Sequence, residues 1–340
     1  MPVNCNCVLN INIQLEDHRK HRKKQTMTEF QSTRLFPKGS GPMAYRITGV
    51  ASRCDWVILS DPKPPFVHLH RNLETASPKH IFLSMRSPFK VIDYFADQIL
   101  PSIRRNFVLI SGSEDVTVPN QTDVRWRSFN SHEKKCIEKV LTNKYLLHWF
   151  AENLDDASHP IMSPLPLGLL PSPGKLPSPG PRPNLRPLGQ RPLTMLCAHR
   201  ARSGPQWDAR RYVTKLAKEN WSEFSTVVEN ELDESEFNTL LGQHAFVLCV
   251  EGGGLDPSPK AWLTLLQGAI PIIRSTSLRS AYQQLPVVFV PEWSPEHIST
   301  KYLLRWQQSL RPYFDEMDKR EKVLKCLSLD YWWDRISSSS

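Results

Sequence analysis

The chain has 340 residues, 40% of them hydrophobic and 23% charged, room for two domains with separate cores in a globular protein. No stretch approaches the roughly 18 unbroken apolar residues of a membrane-spanning helix, and the first residues lack the basic-then-apolar order of a secretory signal, so cytoplasmic residence is expected. A formal net charge of +9 raises nucleic acid as a partner, but eight Lys and Arg against three acids in the first 46 residues place +5 of it in one weakly periodic segment.

Residues 1–50 read as a basic, poorly ordered segment, apart from a strand at Val8–Ile13. Charge of this kind seeks anionic surfaces, which leaves open a peripheral membrane contact; nucleic acid has only the charge behind it and no fold motif. The seven cysteines are odd in number and scattered. The one-residue gap between Cys5 and Cys7 suits neither a zinc knuckle nor a redox dithiol, so reduced thiols and no metal are expected.

From Asp55 the pattern sharpens. Apolar runs at Trp56–Leu59, Ile81–Met85 and Asn106–Ile110 predict strands, the last running into Ser111-Gly112-Ser113-Glu114-Asp115. Helical spacing covers Val91–Ile103, and a second helix is predicted over His132–Asn153, with Asn153 capping its end. This alternation predicts an α/β lobe over 51–168 with a parallel sheet. Proline and glycine then crowd Leu165–Pro192, too densely for a helix or a sheet interior, which marks 169–192 as a linker.

A second α/β lobe follows over 193–336. Its predicted elements are a strand at Leu193–Ala198, helices at Trp207–Glu219 and Leu232–Gln243, and a Trp- and Tyr-rich helical tail over Pro295–Ile336. The sharpest feature lies between them. The apolar run Ala245–Val250 empties into Glu251-Gly252-Gly253-Gly254, where glycine lets the backbone take φ > 0 and approach a ligand. Ser258 and Pro259 then read as N-cap and first helical residue, and strands follow at Ile270–Ile273 and Pro286–Val290.

Strand, glycine loop and helix N-terminus together favour a phosphate group, through backbone N–H groups and the positive end of the helix dipole. Lys260 adds a charge beside that site, Ser258 a hydroxyl, and Glu251 and Asp256 carboxylates suited to sugar or ribose hydroxyls. The spacing is neither the P-loop nor the dinucleotide pattern.

The segment Phe246–Val290, with Glu-Gly-Gly-Gly-Leu-Asp, a Lys-Ala-Trp helix start, Gly-Ala-Ile-Pro-Ile and Leu-Pro-Val-Val before Glu-Trp, resembles the C-terminal part of exostosin-like glycosyltransferases, bacterial members especially. Trp149–Asn153, His159-Pro160, Leu165–Leu169 and residues 108–118 resemble parts of their N-terminal half. The resemblance implies a GT-B-like fold, with two Rossmann-like lobes facing across a cleft. It further implies a nucleotide-sugar donor held by the second lobe, a glycan or glycolipid acceptor in surface polysaccharide synthesis, and no metal or other cofactor.

On that resemblance Glu251, Gly252, Gly253, Gly254, Asp256, Ser258, Lys260, Arg200, Arg202 and Arg210 would hold the donor. Asp115 would be the general base, with Glu114 and His132 as alternates. The chain departs from the family at Leu263, where an acidic residue usually follows the aromatic one, and at Lys260, where arginine is usual. The first departure also points to a non-catalytic glycan- or nucleotide-binding relative.

Overall fold

A computed structural model describes residues 29–37, 39–71, 77–169, 185–200, 202–257 and 259–339. The strand at Val8–Ile13, most of the basic segment, the centre of the linker and Ser258 lie outside the described residues.

The first lobe carries six strands: β1 (Trp56–Pro62), β2 (Pro65–Arg71), β3 (His80–Ser84), β4 (Phe107–Gly112), β5 (Leu146–Ala151) and β6 (Met162–Pro164). They are ordered β2-β1-β3-β4-β5-β6, parallel except for the antiparallel β1–β2 pair at the edge. Two helices, α1 (Pro88–Tyr94) and α2 (Ser131–Leu141), pack on one face. Alternate residues of the strands point to opposite faces. Ile58, Ile81, Leu83 and Leu109 meet α1 and α2, whereas Val57, Leu59, Phe82, Val108 and Ile110 point the other way.

That other face decides the fate of the N-terminal segment. Phe30, Leu35, Val50 and Ala51 cover it, each at most 2% exposed. The expectation of a loose segment to residue 50 therefore fails for 29–37 and 39–50: a sheet buried on both faces needs a second cover, and these residues supply part of it.

The second lobe is a five-stranded parallel sheet of β7 (Met195–Cys197), β8 (Ser225–Val227), β9 (Phe246–Leu248), β10 (Ile270–Arg274) and β11 (Val288–Val290), ordered β11-β10-β9-β7-β8. Its helices are α3 (Asp208–Glu219), α4 (Glu234–Gln243), α5 (Pro259–Leu266) and α6 (Arg279–Tyr282). The tail comprises α7 (Thr300–Leu310), α8 (Pro312–Asp315), α9 (Met317–Cys326) and α10 (Leu329–Ser337). α10 returns to the first lobe: Phe30 bridges Ser328, Arg53 pairs with Asp330, and the His80 and Trp333 rings lie 4.7 Å apart. The chain thus has the expected α/β, GT-B-like form, two lobes of helix-covered parallel sheet with a helical tail.

Several boundaries move. The helix expected over 132–153 ends at Leu141, and the chain resumes as β5, because Trp149, Phe150 and Ala151 are sheet-core residues rather than one helix face. The linker expected over 169–192 is structured at both ends: Leu169 and Leu188 are buried. So is Arg191, whose guanidinium donates to the carbonyls of Arg186, Leu241, His244 and Gln267 at 2.8–3.3 Å. A buried cation satisfied by four carbonyls is a pin of the second lobe, not part of a spacer.

Candidate functional site

The carboxyl ends of both sheets meet. In the first lobe β4 runs into Ser113-Glu114-Asp115 and β5 into Glu152-Asn153; in the second, β7 runs into His199-Arg200, β8 into Val228–Asp233, and β9 towards Glu251 and the three glycines. β7 has β8 on one side and β9 on the other, so the strand order reverses between β7 and β9. Open α/β sheets hold ligands outside the carboxyl ends at such a switch point.

Two hollows open there. One, of about 240 Å³, lies between the lobes against Arg34, Asp115, Asn153, Trp207, Arg210 and Gly252–Gly254. The other, of about 290 Å³, lies against His199, Arg200, Val228, Glu229, Phe237 and Lys260, and Arg210 borders both. A larger hollow of about 1250 Å³, against Thr194, Gly242, His244 and Gln267, opens at the amino ends of β7, β9 and β10, the wrong edge for a ligand of this fold.

The three glycines make room for other side chains, a role the sequence does not reveal. None takes the positive φ expected of it. A Cβ at Gly253 would instead lie 1.7 Å from the Arg125 guanidinium carbon, one at Gly254 2.5 Å from Asn153 Oδ1, and one at Gly252 2.9 Å from Arg210 Nη2. The close approach is made by the protein's own side chains, two of them from the opposite lobe. Asn153, expected as a helix cap, is the clamp. Its Oδ1 accepts from the amides of Leu255 (2.9 Å) and Asp256 (3.2 Å), and its Nδ2 donates to the Glu114 carbonyl (3.1 Å). The amides of Leu255 and Asp256 are thereby engaged within the protein.

On the first-lobe wall the charges answer one another. Arg34 pairs with Asp115 and, at 2.9 Å, with Glu152; Arg125 holds the other oxygen of Asp115 and reaches Asp123 at 3.1 Å. Glu152 is 1% exposed and accepts from Thr33 (2.5 Å) and the Ser113 amide (2.7 Å). Burial pushes its carboxyl above the usual range, against the pull of Arg34. Asp115 thus stands in the cleft with both oxygens engaged. Glu114 is beside it, 3.9 Å from Arg34. His132 is elsewhere: it lies on the outer face of α2 beside Asp93 and Asp97, because the helix begins on the surface away from the cleft. It takes no part in this site.

The second-lobe wall mixes both signs: Arg200, Arg210 and Lys260 line the second hollow together with Glu229, Glu231, Asp233 and Glu234. Lys260 is 9% exposed, and burial, then the neighbouring Arg210, lowers its amine to about 7. Burial likewise lowers the Arg210 guanidinium to about 10; it lies 4.7 Å over the Trp207 ring and donates to the Arg200 carbonyl at 3.2 Å. His199, lowered to about 3 by burial and then by Lys260, is held neutral. Its Nε2 lies 2.9 Å from the Arg210 carbonyl oxygen, to which it can donate.

The remaining expected donor contacts divide. Glu251 is buried against Arg274 and accepts from Trp293 Nε1 at 3.3 Å, so it braces the turn from behind. Asp256 accepts from Tyr282 Oη at 3.0 Å and the Leu167 amide at 3.1 Å, which ties the lobes together rather than offering a ligand contact. Arg200 borders the second hollow but pairs with Glu231 at 3.4 Å, and Arg202 is exposed. Arg34, Arg125 and Trp207 escaped the sequence reading. Isolated residues carry no motif, and only Arg125, in Asp123-Val-Arg-Trp-Arg, stands in a distinctive run.

No family model and no curated protein matches the chain. Among solved structures it is similar to the spinosyn rhamnosyltransferase SpnG complexed with thymidine diphosphate, at 12% identity over 74% of this chain and 69% of that one, with a TM-score of 0.34. SpnG complexed with spinosyn aglycone scores 0.31 at 13% identity, over 77% and 70% of the two chains. An alpha1,3-fucosyltransferase is similar at 13% identity over 79% of this chain and 78% of that one, with a TM-score of 0.29. The fold assignment rests on this chain's own strand order and lobe arrangement.

Proposed function

We propose that the chain is a glycosyltransferase that moves a sugar from a nucleotide-sugar donor to a glycan or glycolipid acceptor. The observation that carries this reading is the convergence of the glycine turn, Arg210 and Lys260 at the switch point between β7 and β9, on the floor of an interlobe cleft. A diphosphate fits that chemistry. A cation sheltered from water interacts with an incoming anion more strongly than an exposed one does.

In this reading the nucleoside lies in the hollow beside Val228 and Phe237, where the Glu229 carboxylate can meet ribose hydroxyls. The diphosphate lies across Gly252–Gly254. The sugar then faces Asp115 and Asn153 of the opposite wall. The acceptor hydroxyl attacks the anomeric carbon, the bond to the diphosphate oxygen breaks, and Arg210 and Lys260 stabilise the charge that develops on the leaving group. Asp115 can take the acceptor proton only if the hydroxyl displaces Arg125 or Arg34 from its carboxylate.

Binding of UDP, GDP, dTDP and CMP by calorimetry, with and without EDTA, tests the donor site. At least one should bind, and Arg210→Met should weaken it tenfold or more. If none binds, or the variant binds equally well, the assignment is wrong. Release of nucleotide from the matching sugar donors then tests transfer. Binding without turnover would select the non-catalytic reading, which the two-sided hold on Asp115 and the apolar Leu263 favour.

A further inference from the structure

On the outer face of the first lobe, α1 and α2 bring together three side chains that the cleft chemistry does not use. His132 and Cys136 are one turn apart on α2, and Asp93 faces them from α1. His132 Nε2 lies 3.7 Å from Asp93 Oδ1 and 3.7 Å from Cys136 Sγ, and the three ligand atoms all fall within 4.8 Å of one another. A tetrahedral zinc ion with bonds of about 2.0–2.3 Å sets its ligand atoms about 3.3–3.6 Å apart. The two measured edges need to close by only a few tenths of an ångström.

We propose that Asp93, His132 and Cys136 form a transition-metal site, selective for Zn²⁺ or a similar borderline-soft divalent ion, that staples α1 to α2. The donor set decides the metal. A thiolate and an imidazole disfavour Mg²⁺ and Ca²⁺, which take oxygen, and suit zinc. Cys136 is 3% exposed, so its sulfur forms the protein-side corner, while His132 and Asp93 leave the fourth position to water. Asp97 Oδ2 lies 3.6 Å from the same imidazole nitrogen, and its other oxygen receives Lys139 at 3.1 Å, placing a further carboxylate at the rim. On binding, the Cys136 thiol releases its proton to solvent and sulfur gives its electron pair to the metal; His132 binds as neutral imidazole. The sequence reading missed this because the ligands lie on separate helices, with only the His–Cys pair near in sequence.

The test titrates the full chain with Co²⁺ as the probe and follows absorbance. One equivalent should bind and raise a thiolate-to-cobalt charge-transfer band that added Zn²⁺ abolishes. Cys136→Ser should remove the band, and the Cys5→Ser/Cys7→Ser double variant should keep it. Because Cys136 is buried, His132→Ala at a largely exposed position gives a second readout free of folding loss. It should lower Co²⁺ affinity by at least about tenfold, the lower bound even for residues that only support ligands. No band, a band that survives Cys136→Ser, a band lost with Cys5 and Cys7, or unchanged affinity in His132→Ala would each overturn the site.

Discussion

The two walls of the cleft use charge in opposite ways. On the first-lobe wall Arg34, Arg125, Asp115, Asp123 and Glu152 are paired among themselves, and the buried Glu152 is held by a cation, a hydroxyl and an amide. On the second-lobe wall the buried Lys260 and the half-buried Arg210 are neighbouring cations whose protonation burial depresses, with Glu229, Glu231, Asp233 and Glu234 lining the same hollow. One wall ties its charges into direct ion pairs, and the other sets two cations side by side in a hollow that carboxylates also line. The contrast shows that charge at a cleft is not one kind of evidence: a closed network of ion pairs braces structure, whereas like charges set side by side are what the proposed diphosphate would engage.

Substitution can break that contrast most sharply at Arg34. Arg34→Met leaves Glu152 as an uncompensated buried carboxylate, which should cost about 3–5 kcal/mol in urea unfolding. A loss near zero would mean that the first wall is not self-satisfied. Arg210→Met should behave in the reverse way, with stability nearly unchanged and nucleotide affinity down at least tenfold, since charge-assisted hydrogen bonds contribute about 1.5–3 kcal/mol.

Asn153→Ala should fall between these, at about 1–3 kcal/mol, because the Leu255 and Asp256 amides lose their acceptor. Denaturant midpoints would measure it, and nucleotide affinity should fall with the clamp. A stable variant with unaltered affinity would show that the glycine turn holds its shape without the opposite lobe.

The smallest effect is a pH slope. Lys260 stays protonated to about 10.5 in the unfolded chain but only to about 7 in the folded one. Between those values the unfolded chain binds the extra proton, so ligand-free stability should rise with pH across that window. A bound diphosphate favours the charged amine. Nucleotide binding above pH 7 should therefore take up a proton and weaken as pH rises, by up to about tenfold per unit. Calorimetry in two buffers of different ionisation enthalpy measures the uptake, and Lys260→Met should abolish it. Equal uptake in that variant would remove Lys260 from the ligand.

Sequence alone determined what is local. The apolar runs of β1, β3, β4, β7, β9 and β10, the helices α3 and α4, and the glycine turn leading into α5 could all be read because their signals lie within a few residues. The short edge elements β2, β6 and β8 could not, since three to seven residues at a sheet margin carry little pattern. Tertiary structure alone decided the rest. It brought Arg34 and Arg125 to Asp115, laid Phe30, Leu35, Val50, Ala51 and α10 over the first sheet, and turned His132 away from the cleft. It also gave the glycines their reason, the approach of side chains from the opposite lobe. Such partners are separated by tens to hundreds of residues, and no period or spacing in one chain encodes which distant charge will be buried beside another.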